Sequence, residues 1–264
     1  MARRVQWPGA MGRTGQMGAR GGAQVYQLHT PVPGFRLAGR YECSGRLHRG
    51  KTSDVWAGRD VCSGRPVAVK LARADFRARP SAVEELRREA DALMHFEHPH
   101  VTKLGATGMS EGGRLFLVLE RLDGETLSER LRRGALNGQQ VRALAEQLAA
   151  GLHSVHRAGW LHGALSTDNV FLRSGTRSSA VYACLIDFGA ARRMPRWHLN
   201  LDVRSDLHAL GRVLRTAAGG TIDVLPRFQR AILQTLLDPD PSRRPTSAGV
   251  VADLLRTPRR TTQP

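Results

Sequence analysis

The sequence predicts an α+β domain of two lobes, with a small antiparallel β lobe that carries one helix and a larger, mainly α-helical lobe. Three observations lead to this class. Apolar residues alternate at strand period from residue 40 to about 72, helical periodicity dominates after residue 120, and 264 residues are enough for one bilobed domain with tails. The order of a β-rich half before a helical half favours segregated α+β architecture.

The chain divides into a folded part and two tails. Residues 1–39 are rich in Gly, Pro and Arg, contain no acidic residue and show no hydrophobic period, so we expect a flexible tail. Residues 40–256 form the predicted domain, and the basic stretch 257–264 forms a second tail.

The smaller lobe is expected at residues 40–120. After "RYECSGRL", the stretches "DVWAGRD" and "RPVAVKLA" predict two strands joined by a turn at Ser63-Gly64. Apolar residues at helical spacing predict one amphipathic helix in "PSAVEELRREADALMHF". Two further strands follow, "VTKLGATG" and "RLFLVLE", which end near Glu120.

The larger lobe is expected at residues 123–256. A helix in "GETLSERLRR" and a long helix in "NGQQVRALAEQLAAGLHSVHRAG" open it, and Gly159 is a suitable stop for the second. Short strands at "NVFL" and "YACLIDF" precede three more helices, near residues 205–217, 226–237 and 247–255.

Composition limits the function classes. No apolar run reaches the roughly 18 to 20 residues needed to cross a bilayer, so we expect a soluble protein. The absence of a signal sequence and the odd number of cysteines favour a reducing, cytoplasmic location. A net charge of +17 raises nucleic acid as a partner, but much of the excess lies in the tails and aromatic content is 5%, so contact through the basic tails is only an alternative.

Four motifs occur in an order that has a chemical meaning. "VAVK" ends at Lys70 on a predicted strand, Glu89 follows on the predicted helix, "HGALSTDN" starts at His162, and "DFG" starts at Asp187 after another strand. Over about residues 40–256 the chain therefore resembles the catalytic domain of protein kinases, particularly the bacterial members of the eukaryotic-type Ser/Thr family. This resemblance implies ATP and Mg²⁺ as cofactors and a protein as partner or substrate.

The resemblance also implies the nucleotide-binding residues. Gly50 is the one glycine that remains of a glycine-rich hairpin over the phosphates, with Thr52 and Ser53 hydroxyls nearby, although a plain hairpin turn explains it equally well. Lys70 would contact the phosphates while Glu89 holds it. The adenine slot and hinge would be formed by Val55, Ala68, Phe171, Glu120 and Leu122. The metal ligands would be Asn169 and Asp187.

The acceptor side of the resemblance is incomplete. In the family's H-R-D-L-x-x-x-N loop an aspartate handles the substrate proton, and Ala164 occupies its position, with His162 retained and Ser166 in place of a lysine. Gly163 replaces the arginine. The segment after "DFG" is short and lacks A-P-E, so Arg244 loses the glutamate with which that arginine pairs in the family, while Asp206 would brace the loop.

These losses predict a catalytically impaired, pseudokinase-like domain that binds ATP and Mg²⁺ and acts as a regulatory or scaffolding module in signalling. Two alternatives stay open. The chain could be an atypical active Ser/Thr protein kinase with another base, such as Asp168. It could also be a small-molecule phosphotransferase, because "HGALSTDNV" is similar to a loop of the aminoglycoside kinases, which need the same missing aspartate.

Overall fold

The computed structural model describes residues 33–73, 80–174, 181–194, 199–223 and 225–256. The expectations for residues 1–32 and 257–264 concern segments outside the described residues. Within the described ranges the chain folds into the two lobes that the sequence predicts, a curved antiparallel sheet with one helix and a larger helical part.

The smaller lobe is built on a six-stranded sheet in the order β1-β2-β3-β4-β6-β5, with every neighbouring pair antiparallel. Its strands are β1 (Phe35–Leu37), β2 (Tyr41–Arg49), β3 (Ser53–Asp60), β4 (Pro66–Ala72), β5 (Leu104–Met109) and β6 (Leu115–Glu120). The turn between β3 and β4 contains Gly64 at φ +70°, a backbone conformation that glycine adopts without strain.

Strand β1 corrects the predicted boundary of the tail. It pairs with β2 through Phe35 and Cys43 and through Leu37 and Tyr41. Leu37 is buried in the same apolar cluster as Tyr41 and Trp56. Three residues are too short for an alternating pattern to be recognised, so the sequence places them in the tail, whereas the sheet begins before residue 40.

Helix α1 (Pro80–Leu93) packs on one face of this sheet. Its buried residues Leu86 and Ala90 meet Leu115 and Leu117 of β6. Because these apolar positions recur at helical spacing, the same face also carries Glu89 towards the interior, where it is 1% exposed. A buried carboxylate on a helix requires a partner, and α1 thus positions one half of the site.

The larger lobe begins with β7 (Gly124–Thr126) and two capped helices, α2 (Leu127–Leu131) and α3 (Gly138–Arg157). Both helices start in a capping box, formed by Thr126 with Glu129 and by Asn137 with Gln140. Thr126 lies on β7, so the predicted helix in this stretch starts later than "GETLSERLRR" suggests.

Short strands and helices complete the lobe. A three-stranded sheet has the order β10-β9-β7 and a two-stranded sheet joins β11 to β8. The remaining elements are β8 (Trp160–Leu161), β9 (Val170–Arg173), β10 (Ala183–Leu185), β11 (Arg192–Arg193), α4 (Leu199–Ala217), α5 (Arg227–Leu236) and α6 (Ala248–Arg256).

The main core lies around α3, whose buried residues include Leu144, Leu148 and Leu152, all fully inaccessible to solvent. Leu207 of α4, Leu233 of α5 and several residues of α6 pack on the same cluster. Among the helices in the described ranges, none combines the length and the apolar character needed to cross a membrane.

Candidate nucleotide and phosphotransfer site

The tip of the β2-β3 hairpin is a tight turn held by the protein itself. The Gly50 amide donates to the Ser53 carbonyl at 2.9 Å, and a Cβ on Gly50 would lie 2.5 Å from that oxygen. The Thr52 hydroxyl donates to Glu85 of α1 at 3.0 Å, and Ser53 is 4% exposed. Gly50 is therefore required by the turn, and both hydroxyls that the sequence offers to phosphate are engaged or buried.

Lys70 connects three elements at the mouth of the cleft. Its ammonium lies 2.6 Å from the Glu89 carboxylate on α1 and 2.9 Å from the Asp187 carboxylate after β10. The lysine side chain is 13% exposed, whereas that of Asp187 is 48% exposed. The structure thus brings together three of the residues that the sequence predicts for the site.

Lys70 and Asp187 stabilise each other's charges, whereas burial raises the pKa of the Glu89 carboxyl above its ordinary value. Burial opposes the charged form of Lys70, but the charges of Glu89 and Asp187 outweigh it and raise the pKa of the lysine above its usual range. Burial also opposes ionisation of Asp187, yet the charge and hydrogen bond of Lys70 lower the pKa of that carboxyl. Both the Lys70 ammonium and the Asp187 carboxylate are therefore charged near neutral pH. The single lysine contacts two carboxyl groups, those of Glu89 and Asp187.

The predicted adenine-slot residues on the sheet share a face with Lys70. Val55 lies directly opposite Lys70 in the β3-β4 register, and Ala68 lies two residues before it on the same strand. Phe171 lies on β9, where it pairs with Thr126 of β7. These positions place an apolar surface beside the lysine.

The two residues predicted for the hinge are Glu120, the last residue of β6, and Leu122, which lies between β6 and β7. The amide of Glu120 donates to the Lys103 carbonyl at 2.9 Å, so this N–H belongs to the sheet. The Glu120 carboxylate accepts from the Lys103 amide at 3.2 Å and approaches Arg173 at 3.6 Å. Recognition of a base edge at the hinge would consequently use other backbone groups, such as those of the half-buried Leu122.

Asp206 holds the loop that starts at His162, as the sequence predicts. Its carboxylate is 2% exposed and accepts hydrogen bonds from the His162 and Gly163 amides at 2.9 and 3.0 Å. The His156 Nε2 lies 2.9 Å from the same carboxylate. These three bonds tie α3, the loop and α4 together.

His162 has a structural role in this arrangement. It is fully buried, its Nε2 contacts the Ile186 carbonyl at 3.2 Å, and its Nδ1 lies 3.4 Å from the Ala164 amide. Burial lowers its pKa, so the ring is neutral. The ring centroid lies 4.6 Å from that of the fully buried Phe188. With both nitrogens engaged, His162 is not available as a general base.

The position of the family's catalytic carboxylate is a methyl group at the surface. Ala164 is exposed, the next polar position, Ser166, is half-buried, and the Asp168 side chain is exposed on a 3₁₀ turn of residues 167–169. Gly163 has φ +77°, and a Cβ there would lie 2.4 Å from the Ala190 carbonyl. An arginine at position 163 is therefore incompatible with the path of the segment after Gly189.

Asn169 and Asp187 have oxygens suited to a hard cation. The Asn169 side-chain amide donates to the Ala164 carbonyl at 2.8 Å, which orients its Oδ1 away from that contact. The Ile186 amide donates to the Asn169 carbonyl at 3.0 Å, so the two ligand candidates lie on adjacent segments. A carboxylate and an amide oxygen fit Mg²⁺, which prefers oxygen ligands, and such an ion would supply positive charge to offset the negative charge of bound phosphates.

The segment after "DFG" is anchored without a long loop. The Arg88 guanidinium of α1 donates to the Gly189 carbonyl at 2.9 Å, and β11 pairs with β8 in a two-stranded ladder. Arg193 contacts His95 at 2.9 Å. Asp187 itself has φ +61°, an uncommon conformation for a residue with a Cβ.

Arg244 shows how the structure compensates for the absent glutamate. Its guanidinium donates to the carbonyls of Asp238, Pro239 and Arg204 at 2.8, 3.1 and 3.2 Å. The sequence predicts an arginine without its usual partner, and the structure supplies three backbone oxygens instead.

Sequence reasoning did not identify three contacts that shape the site: Thr52 with Glu85, Arg88 with Gly189, and Gly163 with Ala190. The first two join segments that are far apart in the chain and give no local pattern. The contact of Gly163 with Ala190 could have been predicted, because a glycine where the family has an arginine indicates that another backbone segment approaches closely.

Comparison with known proteins agrees with this geometry. A family model described as a protein kinase domain matches residues 41–206. Serine/threonine-protein kinase pkn2 of Myxococcus xanthus is 30% identical over 271 residues, which cover 83% of this chain and 32% of pkn2. Serine/threonine-protein kinase PknA of Mycobacterium tuberculosis is 31% identical over 168 residues, which cover 62% of this chain and 38% of PknA.

Among solved structures, the crystal structure of the Mycobacterium tuberculosis PknI kinase domain superposes with a TM-score of 0.68 at 22% identity. The match covers 86% of this chain and 98% of that domain, which shows a common fold. The chain spans about a third of the length of the curated relatives described above.

Proposed function

Because the chain belongs to the protein kinase family, we propose that it is a kinase-fold domain that binds ATP with Mg²⁺, transfers phosphate inefficiently, and regulates or scaffolds a protein partner in signalling. The observation that carries this proposal is the Lys70 ammonium, 2.6 Å from Glu89 and 2.9 Å from Asp187, beside a loop with Ala164 in place of a carboxylate. This arrangement supports a site in which the residues for the nucleotide are brought together and the residue that would act as base is replaced.

The chain's own residues account for the binding half. An ammonium group has three N–H donors, of which Glu89 and Asp187 use two, so Lys70 retains one donor for a phosphate oxygen. Val55 and Ala68 provide apolar contacts on the same face of the sheet. Bound Mg²⁺ would neutralise phosphate charge, with Asp187 and Asn169 as its protein ligands.

The acceptor half explains the expected inefficiency. The Ala164 methyl cannot take a proton, and the neutral His162 has both nitrogens engaged. General-base catalysis contributes typically about 10²- to 10⁴-fold, so its loss reduces the rate without removing catalysis by position and charge.

Electrostatics predict that nucleotide binding depends on a divalent cation. The positive charge of Lys70 is already paired with the Asp187 carboxylate and hydrogen-bonded to the buried Glu89 carboxyl, so the protein alone offers little net positive charge to a triphosphate. We expect ATP with Mg²⁺ to raise the melting temperature and ATP with EDTA to have little effect. Asp187→Asn removes one carboxylate charge and should reduce the difference between the two conditions.

A matched pair of variants sharpens this thermal-shift test. Lys70→Met should abolish the ATP-dependent shift, and Lys103→Met should retain it, because Lys103 is an exposed lysine that pairs with Glu97 at the surface. Absence of a shift in the unmodified chain at millimolar ATP would refute nucleotide binding.

An active Ser/Thr protein kinase is the second candidate, and the Lys70–Glu89 contact with the buried Phe188 favours it. Phosphoryl transfer relies mainly on position and electrostatics, and both are preserved on the nucleotide side. Transfer of radiolabelled phosphate to the chain or to a generic protein, lost in Asp187→Asn, would select this candidate. A signal that persists in that variant would indicate a contaminating kinase.

We propose a cytoplasmic location because the three cysteines are free thiols. Cys43, Cys62 and Cys184 are free, and Cys62 is exposed. Free thiols persist in reducing compartments, which supports a cytoplasmic protein.

A further inference from the structure

Helix α4 has a strongly basic outward face. Arg204, His208, Arg212 and Arg215 follow one another at intervals of four, four and three residues, so their side chains share one side of the helix. The opposite side is buried through Val203, Leu207, Leu210 and Leu214. Arg244 joins the basic side, because its guanidinium donates to the Arg204 carbonyl at 3.2 Å. We name these five basic residues the arginine stripe.

In the part of α4 whose side chains the structure describes, from 203 to 217, no outward-facing acid compensates the stripe. Between Val203 and Ala217 the one carboxylate is Asp206, which faces inward and is 2% exposed. The pKa of His208 is lowered by burial and then by the charges of Arg244, Arg212 and Arg215, which places these cations around the imidazole. Because the lowered pKa leaves His208 neutral near pH 7, Arg212 and Arg215 are the like charges that repel each other at helical spacing, and this repulsion destabilises the helix.

Nearby acids do not neutralise the stripe. Asp240 faces Arg204 but lies 3.7 Å from Arg243, which is a closer competitor for its charge. The Nε of Arg204 is buried without a hydrogen-bond partner among the described residues. In the same part of the chain no ion pair is formed by Arg212 or Arg215, both of which are exposed.

The face is open because of the way α4 is packed. The helix contacts α3, α5, β8 and the 3₁₀ turn Pro241–Arg243. The short connection from Ala218 to Pro226 leads directly into α5 and leaves no room for a covering helix. In the described part of the chain, no element lies across Arg212 and Arg215.

We propose that the arginine stripe is a docking surface for an acidic segment of a partner protein, one that presents several carboxylates or phosphoryl groups. Guanidinium groups bind such anions through paired, charge-assisted hydrogen bonds. From residue 204 to residue 215 the stripe extends about 16 Å along the helix, which is the length of about five residues of an extended peptide. The proposal deepens the partner-binding role proposed above and does not require nucleotide binding.

A nucleic acid fits the stripe less well. Base stacking on single strands requires aromatic side chains, and the described side chains of α4, from 203 to 217, include none. A short row of cations without base-reading groups is better matched by a few carboxylates or phosphates on a peptide than by a long duplex backbone.

The test measures binding of fluorescein-labelled oligoglutamate and phosphoserine-rich peptides to the full chain by fluorescence anisotropy at low ionic strength. Arg212→Gln with Arg215→Gln should weaken binding about tenfold, the product of two losses of about threefold, each within the usual range for an exposed ion pair. Arg132→Gln with Arg157→Gln removes the same charge from exposed positions of α2 and α3 and should change affinity less than about twofold.

Three outcomes would overturn the proposal. Equal losses in the two double variants would mean general attraction to a basic protein, and no measurable peptide binding would mean that the stripe is only solvated. A duplex oligonucleotide that binds more tightly, with the same dependence on Arg212 and Arg215, would assign the face to nucleic acid. The ATP-induced thermal shift, measured in both double variants, reports separately on the nucleotide site and on folding.

Discussion

At the scale of single residues, the proposed loss of efficient transfer depends on Ala164. It is exposed at the loop position where a carboxylate would take the acceptor's proton, and the groups around it are already in use. Asn169 donates to its carbonyl, and its amide faces His162. On the proposed function, this methyl group stands where a phosphotransfer site would need a general base.

Ala164→Asp should increase phosphate transfer by about 10²- to 10⁴-fold, because it restores a general base without changing Gly163, which the neighbouring Ala190 carbonyl requires. Single-turnover transfer of radiolabelled phosphate measures this. The matched control is Asp168→Asn, which should leave the transfer rate of the unmodified chain unchanged.

If Asp168→Asn instead abolished residual transfer, Asp168 would be the working base and the chain an atypical active kinase. No gain in Ala164→Asp would mean that the acceptor-binding surface is missing as well as the base.

At the scale of elements, close packing between helices positions the loop. Gly211 of α4 lies where this helix crosses α5, and a Cβ there would be 2.9 Å from the Leu236 Cβ and 3.2 Å from the Leu237 side chain. Asp206 lies on the same helix and accepts hydrogen bonds from the loop that starts at His162. The distance between α4 and α5 therefore affects the position of that loop.

Gly211→Ala should lower the free energy of unfolding by about 1–3 kcal/mol, because the added methyl overpacks the α4-α5 contact. Urea unfolding followed by circular dichroism gives the change. Gly45→Ala on β2 is the control: no atom lies within 4 Å of the added Cβ, so we expect a change within about 0.5 kcal/mol. A stabilised Gly211→Ala variant would show that helix propensity outweighs packing.

Elements differ in how well the sequence predicts them, and the reason is the range of the contacts that form them. Helices such as α3 and strands such as β4 bury long regular faces, and their periodicity is visible locally. β1 and β11 are two or three residues long and exist because β2 and β8 offer partners. Their pairing is a property of the folded chain.

The residues of the candidate site also differ in how well the sequence predicts them. Lys70, Glu89 and Asp187 are predictable because each belongs to a motif with a fixed chemical task. The Thr52 contact with Glu85 and the three carbonyl partners of Arg244 arise from side chains that meet across the fold. Such contacts carry no pattern in the sequence and follow only from the assembled backbone.

At the scale of the whole molecule, Asp206 links stability to pH. Burial opposes its ionisation, but the hydrogen bond and charge of His156 and the Gly163 amide outweigh burial and lower its pKa below the usual value. A carboxyl with a lowered pKa in the folded state stabilises the fold fully above its unfolded-state pKa of about 4. This stabilisation is lost as pH falls from there through the folded-state pKa.

Asp206→Asn should therefore destabilise the protein at neutral pH by about 3 kcal/mol, since it breaks a buried charged network that joins α3, the loop and α4. It should also flatten the decline of stability below about pH 4. Urea unfolding at neutral and acidic pH measures both effects. An unchanged acid slope in the variant would assign the pH dependence to other carboxyls, such as the buried Asp60, which pairs with Arg40.

The ion pair between Lys70 and Asp187 also has a consequence for the order in which the chain folds during synthesis. Lys70 and Glu89 are 19 residues apart, whereas Lys70 and Asp187 are 117 residues apart. Contacts that close long loops form late, because their entropy cost comes before their gain. On the ribosome the sheet, the helix and the first ion pair can form before Asp187 emerges. A nucleotide that requires all three residues would bind only after the lobes have docked, and would then hold the newly made chain in that state.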